Sequence, residues 1–366
     1  MVEQNKKLLY IHPKNLNYYE DHQIFSLINT YKSYIMVDKK KIGKLFTEYN
    51  EYINANYKKI ISDKLYYIKN LKSILIKLTP SVVVTKEIFS LASFQVHLLK
   101  KKFDFIHIII VYENTNINKS LWGVFPLTRF ISSRNKNSIF VSTSHLATKN
   151  LLKIKVPKEH IIETFTGLFP VMCDHNIIMN KSFRILYIGN LYKNKGIITL
   201  IKAFNDIMND GYRDIYLFIA GSGNLTNFVR ENEKKIKNLV YLGYVSESEK
   251  EKLLSHSDVF VYPSEDIDFL KILNRWAEQT ATAVIEAMRC GVPIITSNSG
   301  SLPEIIGRND VIFNQGNSIE LKNKLLMLYK NRDLLRNLKI YNINRFNEQF
   351  NIYTNANKIY NRIKDL

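Results

Sequence analysis

Residues 276–307 read WAEQTATAVIEAMRCGVPIITSNSGSLPEIIG, a segment that passes from a helical pattern to a strand pattern. Its apolar side chains recur at helical spacing over 283–289, and Gly291 ends that helix. The apolar run 294–296 is typical of a short buried strand. A helix that leads directly into a buried strand is the repeating unit of α/β proteins, so this segment predicts an α/β fold.

Two glutamates, Glu278 and Glu286, stand eight positions apart in this segment. Thr280 and Thr282 are residue types that favour the N-cap of a helix, so the helix is predicted to begin beside them, between the two carboxylates. A helix N-terminus suits a phosphate, because it presents unpaired N–H groups and a partial positive charge. Carboxylates on either side suit sugar hydroxyls. The same pattern also describes a capped helix with a solvated glutamate at each end, and the segment alone leaves both interpretations open.

The sequence upstream repeats the strand–turn–helix pattern. Residues 183–189 read FRILYIG, a strand that ends in glycine, and a helix with apolar residues at helical spacing follows over 197–208. Three more strands are predicted at 215–220, 239–243 and 259–264, and each runs into a glycine or a polar turn. This alternation predicts a doubly wound parallel sheet, in which ligands bind beyond the carboxyl ends of the strands.

The first half of the chain alternates strands and helices in the same way. Strands are predicted from apolar runs at 7–12, 81–85, 106–112, 138–142 and 161–165. Helices are predicted at 20–29, 42–72, 91–100 and 146–152. The stretch 171–182 has few strong signals and is interpreted as a linker. A chain of 366 residues exceeds one typical core, so two Rossmann-like domains are predicted.

The ordered motifs resemble the family-4 glycosyltransferases, which are retaining nucleotide-sugar enzymes of the GT-B fold. The matching blocks are GNLYKNKG, AGSG, VYLGYV, DVFVYPS, the two glutamates eight positions apart and EAMRCGVPIITSNSGSLPEIIG. They cover 183–313 strongly and 79–170 more weakly. The tetrapeptide WAEQ at 276–279 looks like a variant found in some polysaccharide-building members. The resemblance implies an α/β protein of the GT-B class, with two Rossmann-like domains facing a central cleft.

The resemblance also implies a division of labour. Residues 1–175 are expected to bind the acceptor, with a C-terminal helix over 347–366 packing back on them, and residues 176–346 are expected to bind the donor. The implied activity is retaining transfer of a sugar from a UDP-, GDP- or ADP-sugar to a glycan or lipid-linked acceptor, with no further cofactor. The alternative is a catalytically weak or inactive nucleotide-binding homologue with a scaffolding role.

Individual residues receive roles from the same resemblance. Lys195 matches the family lysine at the donor diphosphate, Glu278 matches the glutamate at the donor sugar, and Glu286 matches the glutamate that takes the ribose hydroxyls. Lys195, Glu278 and Glu113 are therefore the predicted catalytic residues. The predicted donor-binding residues are Asn190, Lys195, Gly221, Gly223, Thr280, Ala281, Thr282 and Glu286.

Two positions in the second half depart from the family pattern. The family places an arginine after the strand-ending glycine, where this chain has Asn190, and the change removes a fixed cationic fork. It also places a Phe-Gly pair shortly after the first glutamate, where this chain has Thr280-Ala281. Alanine carries a Cβ that restricts close approach of the backbone to a sugar phosphate. In the first half, Glu87 resembles an acidic position that faces the cleft.

The charge is unevenly distributed. The whole chain carries +19, and residues 1–180 hold 26 basic and 13 acidic side chains, a net of +13, against +6 for residues 181–366. A basic first half fits an anionic membrane surface or an anionic acceptor as a partner. The abundance of Lys, Asn, Ile and Tyr throughout also fits a base-composition bias, and both explanations stay open.

Several classes of function lack support in the sequence. There is no basic helix or aromatic ribonucleoprotein motif for nucleic acid, and no G-x-G-x-x-G with a downstream acidic residue for a dehydrogenase. No His/Cys/Asp cluster has metal-ligand spacing. Asp266 and Asp268 are interpreted as a solvated irregular loop, so metal-independent catalysis is predicted. With no leader-like start and no long apolar run, the chain is expected in the cytoplasm, either free or as a peripheral protein on the inner face of the membrane.

Overall fold

The computed structural model describes residues 6–11, 31–37, 51–54, 57–59, 66–88, 90–112, 138–170, 182–269 and 274–364. The chain divides into two compact units. The first unit joins Met1–Phe169 to Asn351–Leu366, and the second is Pro170–Phe350. Each unit contains a parallel sheet with helices packed on it.

The first unit is built on a seven-stranded sheet of order β3-β2-β1-β6-β7-β8-β9, with parallel neighbours throughout. Its strands are β1 (Lys7–Ile11), β2 (Lys32–Val37), β3 (Glu51–Asn54), β6 (Val82–Lys86), β7 (Ile106–Val111), β8 (Ser138–Ser142) and β9 (Ile161–Glu163). A separate antiparallel pair consists of β4 (Tyr57–Lys59) and β5 (Tyr66–Ile68).

The helix predicted over 42–72 is wrong for residues 51–54, 57–59 and 66–68, although Leu71 and Lys72 do begin a helix. Residues 51–54 form β3, and β4 and β5 follow. The tyrosine and isoleucine side chains of this stretch favour strands as well as core helices. The choice is made by pairing with β2, where Tyr34 lies opposite Glu51, and the sequence pattern does not carry that partner. The helix predicted over 20–29 lies outside the described residues.

Three helices pack on one face of the first sheet. They are α1 (Leu71–Leu78), α2 (Leu91–Lys100) and α3 (His145–Lys153). α1 and α2 bury Leu75 and Val96 against Leu9 on one face. α2 begins where predicted because Ser90 caps it, with its side chain accepting a hydrogen bond from the Ser93 N–H at 3.1 Å.

The second unit is built on a six-stranded sheet of order β12-β11-β10-β13-β16-β17, again parallel. Its strands are β10 (Phe183–Ile188), β11 (Ile215–Ala220), β12 (Leu239–Gly243), β13 (Val259–Tyr262), β16 (Ile294–Ser297) and β17 (Ile312–Phe313). A short antiparallel pair, β14 (Ile267–Phe269) and β15 (Asn274–Trp276), follows β13. The predicted doubly wound parallel sheet is confirmed for this unit.

The helices of the second unit alternate with these strands. They are α4 (Ile197–Asn209), α5 (Thr226–Lys235), α6 (Glu247–Ser255), α7 (Thr282–Arg289), α8 (Leu302–Ile306), α9 (Ser318–Lys330) and α10 (Arg332–Arg345). α4 buries Leu200 and Phe204, which belong to the apolar series that predicted it. Because every strand of a parallel sheet points the same way, the loops after β10, β11 and β13 emerge at one edge.

The last helix returns to the first unit. A π-helical turn at Phe346–Phe350 precedes α11 (Ile352–Lys364). The Ile352 N–H donates to the Leu168 carbonyl at 3.0 Å, and Ile359 and Ile363 are buried with Leu8 against the sheet face that α1 and α2 leave open. None of the described helices is long and apolar enough to cross a membrane.

Candidate functional site

The loops after β10 and β11 touch through glycines at the carboxyl edge of the second sheet. Gly221 has φ 135°, and a Cβ at that position would lie 1.8 Å from the Gly189 carbonyl oxygen. A Cβ on Gly223 would lie 2.5 Å from the Leu191 carbonyl oxygen. Both distances are far too short for a side chain, so glycine is required for the two loops to meet. The backbone is thereby held close to the position where this fold binds ligands.

A third glycine, Gly196, brings Lys195 close to the end of β13, which neighbours β10 in the sheet. Lys195 ends a short 3₁₀ turn, and Gly196 follows with φ 67°. A Cβ on Gly196 would lie 1.8 Å from the Pro263 carbonyl oxygen, so the loop after β10 packs directly on the loop after β13. The Lys195 ammonium then lies 3.2 Å from the Tyr262 hydroxyl and 5.4 Å from the centroid of its ring.

Lys195 and Glu278 form a buried ion pair. Their Nζ and Oε2 atoms are 2.6 Å apart, and the two side chains are only 14% and 9% exposed. The Ser264 hydroxyl donates to the same carboxylate oxygen at 2.9 Å. Removal of two charges from water is costly, and excellent geometry with extra hydrogen bonds is needed to offset it. The chain provides both here, at the edge of the sheet where the loops converge.

The backbone around Glu278 is also fixed. The Ser301 N–H donates to the Glu278 carbonyl at 3.0 Å, and a Cβ on Gly300 would lie 2.1 Å from that carbonyl oxygen. The loop after β16 therefore packs against the residue that carries the carboxylate. Sequence motifs placed Glu278 in the site, but they did not indicate this support from Ser301 and Gly300.

Two tyrosines beneath the ion pair stay protonated. Burial raises the pKa of the Tyr262 hydroxyl well above its ordinary value, and the negative charge of Glu278 adds to the shift. Burial raises the pKa of Tyr187 in the same direction, again with a contribution from Glu278. The Tyr187 hydroxyl donates to the Asn190 carbonyl at 2.9 Å, which fixes the loop after β10. Both rings act as neutral groups at any physiological pH.

The predicted threonine caps of α7 are wrong. The N-cap is Ala281, in the left-handed conformation with φ 35° and ψ 58°, and α7 begins at Thr282. Thr280 and Thr282 flank this position without capping it. Alanine has no side-chain acceptor, so no N-cap side chain offsets the partial positive charge at the start of α7. That feature suits an anion better than a capped helix does.

Glu286 lies on α7, about one turn after Thr282, and only 3% of it is exposed. Its Oε1 atom is 2.7 Å from the Lys250 ammonium, which comes from α6. Lys250 also lies 2.8 Å from Glu247. Sequence reasoning missed Lys250, because α6 reads ESEKEKLLS and its two lysines look equally solvated.

The remaining predictions concern two acidic residues of the first half, Glu87 and Glu113, and the aspartate Asp266. Asp266 lies in a loop as predicted but is half-buried, and its carboxylate accepts a hydrogen bond from the Ser299 hydroxyl at 2.6 Å. In the first unit, Glu87 accepts a hydrogen bond from the Tyr112 N–H at 3.1 Å. Glu113 lies outside the described residues. Across the described ranges, no group of three or more His, Cys, Asp or Glu side chains is arranged to hold a metal ion.

Comparison with known proteins places this site in a family context. Residues 174–345 match the profile of the family described as "Glycosyl transferases group 1". The chain is 32% identical over 138 residues to spore coat protein SA of Bacillus subtilis, a match of 35% of this chain and 34% of that protein. It is 29% identical over 136 residues to O-antigen chain mannosyltransferase B of Escherichia coli, covering 33% and 30% respectively. The chain thus spans about a third of the length of these curated relatives.

A solved structure shows the likeness of fold over the whole chain. The Anabaena protein HepE, in complex with UDP, superposes with a TM-score of 0.73 at 12% identity, covering 99% of this chain and 100% of that one. Two parallel-strand sheets with helices, matched over this length, are the architecture of GT-B glycosyltransferase structures. The predicted fold class is confirmed.

Proposed function

We propose that the chain transfers a sugar from a nucleotide-diphosphate sugar to a glycan or lipid-linked acceptor, since residues 174–345 match the family described as "Glycosyl transferases group 1" and the chain has the fold of GT-B structures. We assign the donor to the second unit and the acceptor to the first. Retention of configuration, membership of family 4 and transfer of a hexose are parts of the same proposal.

The observation that carries the proposal is the buried pair of Lys195 and Glu278, 2.6 Å apart. Buried ion pairs are weak contributors to stability, so a purely structural role explains the pair poorly. A ligand explains it better. When a diphosphate arrives, Lys195 turns to the phosphate oxygens and Glu278 is released to accept hydrogen bonds from the sugar hydroxyls.

Lys195 then has a chemical task. As the bond between the sugar and the diphosphate breaks, negative charge grows on the leaving oxygen, and a preorganised cation stabilises that charge. The N-terminus of α7 faces the same group with its partial positive charge. Glu286 accepts hydrogen bonds from the ribose diol, for which a carboxylate with two oxygens is well suited.

The Lys195 ammonium and the N-terminus of α7 favour a metal-independent reaction. They supply the positive charge at the diphosphate that a divalent cation supplies in other enzymes. Activity in excess EDTA tests this part of the proposal. We expect sugar transfer to continue at an undiminished rate. Loss of activity that manganese or magnesium restores would overturn it.

The acceptor and the location are proposed on weaker grounds than the donor. One relative is named as an O-antigen chain mannosyltransferase, which favours a glycan acceptor. The +13 charge of residues 1–180 favours an anionic surface, such as the inner face of the membrane.

Thermal unfolding in the presence of UDP, GDP and ADP identifies the nucleotide, because only a bound ligand raises the melting temperature by mass action. UDP is the first choice, since it occupies the HepE structure. Release of nucleoside diphosphate from the matching nucleotide-sugars then tests catalysis. Failure of all three nucleotides to bind would overturn the proposal.

The second candidate is a nucleotide-binding homologue with a scaffolding role. Asn190, in place of an arginine, and Ala281, in place of a glycine, favour it, because each departs from the family at the donor site. It predicts nucleotide binding without sugar release or transfer, so the same two measurements separate the candidates.

A further inference from the structure

We propose that Lys250 is a positioning residue for the nucleotide: it holds the Glu286 carboxylate in the orientation in which that carboxylate takes the ribose diol. The inference rests on the proposed function and names a residue that no sequence motif marked. Lys250 acts through Glu286 and has no part in breaking the glycosidic bond.

The geometry of the pair is that of a fixed contact. The Lys250 side chain is 12% exposed and that of Glu286 is 3% exposed, and their charged atoms are 2.7 Å apart. A carboxylate this far from water needs a charged partner to remain ionised at low cost. The contact of Oε1 with the ammonium restricts the rotation of the carboxylate. Glu286 therefore meets the ribose preorganised, and little ordering remains for the ligand to bring about.

The position of Lys250 is itself fixed by the start of α6. Ser246 and Glu249 form a capping box, in which the Glu249 carboxylate accepts a hydrogen bond from the Ser246 N–H at 2.7 Å. That hydrogen bond lowers the pKa of Glu249, so the cap stays intact at neutral pH. Lys250 is the next residue of α6 after this capping box, so its backbone position is fixed by the capped first turn.

A structural role for the pair needs to be separated from the positioning role, because α6 and α7 are joined by a second ion pair. Glu251 and Arg289 lie 3.4 Å apart, one residue along α6 and three along α7 from the first pair. If the two pairs only fasten the helices together, loss of either has the same consequence. If Lys250 positions Glu286, only its loss affects recognition of ribose.

The experiment compares two ligands that differ only in the ribose hydroxyls. Calorimetry measures the binding of UDP and of 2′,3′-dideoxy-UDP, or of the corresponding GDP or ADP pair if the nucleotide screen selects those bases. Four proteins are compared: wild type, K250M, K250R and the matched control E251Q. Because both ligands are measured with each protein, any loss of stability in a variant cancels from the ratio of its two affinities.

We expect the wild type to prefer the ribose nucleotide by about tenfold or more, the usual effect of hydrogen bonds to a charged group. K250M is expected to bind UDP about tenfold more weakly and to lose most of that preference. K250R restores part of the preference, since arginine keeps the charge. E251Q keeps the wild-type affinity and the wild-type preference.

Three results would overturn the inference. They are an undiminished ribose preference in K250M, an equal loss of preference in K250M and E251Q, and tighter UDP binding by K250M, which would mean that the lysine competes with ribose for Glu286. If K250M does not fold, K250Q replaces it, and an unchanged ribose preference there has the same meaning. A wild type that binds none of the three nucleotides refutes the proposed function itself, and the two failures are thereby distinguished.

Discussion

The two units each bury a polar cluster in a parallel sheet, but the cluster of the first unit is neutral and that of the second is charged. In the first unit, His107 is fully buried with Nε2 2.9 Å from the Thr85 hydroxyl, which also accepts from the Ser93 hydroxyl at 2.8 Å. In the second unit, the corresponding burial holds Lys195 and Glu278, 2.6 Å apart.

The difference separates structure from function. Burial lowers the pKa of His107 well below its ordinary value, so the imidazole stays neutral, and its Nε2 atom makes a hydrogen bond with Thr85 in the core. Neutral groups give up little hydration energy compared with ions, so the first cluster is an economical way to stabilise a sheet. The charged cluster contributes less to the free energy of unfolding because its ions lose more hydration energy on burial. That is expected of a site that is retained for ligand binding.

The sharpest test of this contrast is Lys195→Ala. If Lys195 stabilises the leaving diphosphate, turnover falls about 10²–10³-fold, the range for loss of one charge-stabilising group. Steady-state sugar transfer measures it, with Lys193→Ala, an exposed lysine of the same turn, as the control. Near-normal turnover together with intact donor affinity would make Lys195 an ordinary lysine and the mapped site wrong.

Glu286→Ala examines the other end of the charged region. Loss of the carboxylate leaves the ribose diol without an acceptor, so the nucleoside diphosphate is expected to bind about 1–3 kcal/mol more weakly. Calorimetry on a variant with an unchanged circular dichroism spectrum gives the answer. Equal affinity in the folded variant would remove Glu286 from the donor site.

Thr85→Val tests the neutral cluster. Valine has a similar shape but cannot pair with His107 or accept from Ser93, so the free energy of unfolding is expected to fall by about 1–2 kcal/mol. Urea denaturation measures the loss. Nucleotide affinity should stay the same, and a change in it would mean that the neutral cluster is not merely structural.

The pH dependence of stability follows from His107. The folded state holds this histidine neutral, whereas the unfolded chain binds a proton below about pH 6.5, so protonation favours unfolding. The contribution of His107 to the free energy of unfolding therefore falls by about 1.4 kcal/mol per pH unit as the pH drops below that value. Urea denaturation between pH 7 and pH 5 should give a shallower dependence for His107→Gln than for wild type. Equal slopes would contradict the assignment.

Ala281→Gly is expected to have the smallest effect. Alanine at φ 35° is strained, and glycine relieves that strain but gains freedom in the unfolded chain. The two effects nearly cancel, leaving a gain of about 0.5 kcal/mol in the free energy of unfolding. Thermal denaturation measures it. A clear loss of stability would show that packing of the alanine methyl group contributes more than the backbone strain costs.

Sequence patterns predicted the strands of the second sheet more completely than those of the first. Strands ending in Gly189 or before Gly221 are predictable, because the glycines that let loops touch also mark where strands stop. β3 was missed because its conformation depends on β2, a partner that the local pattern does not reveal. Ala281 was missed as an N-cap because it adopts a left-handed conformation that alanine rarely takes and that the local sequence does not indicate.

Side-chain pairing was the least predictable part of the site. The motifs brought Lys195 and Glu278 to one edge of the sheet, because they lie in the connections that follow the parallel strands β10 and β13. Their 2.6 Å contact required the close approach of the loops at Gly196. Lys250 differs from Lys252 only in the direction in which its side chain leaves α6, and a helix rich in lysine and glutamate hides that difference.

The return of α11 to the first unit sets an order of assembly during synthesis. Pro170–Phe350 is one continuous stretch, so the second unit has all of its residues once they leave the ribosome. The first unit, although its strands are made earlier, lacks Ile359 and Ile363 from its core until the final helix has been translated. The half of the protein that is translated first is therefore the last to be completed, and the apolar cluster around Leu8 and Tyr10 lacks the side chains of α11 for nearly the whole of translation.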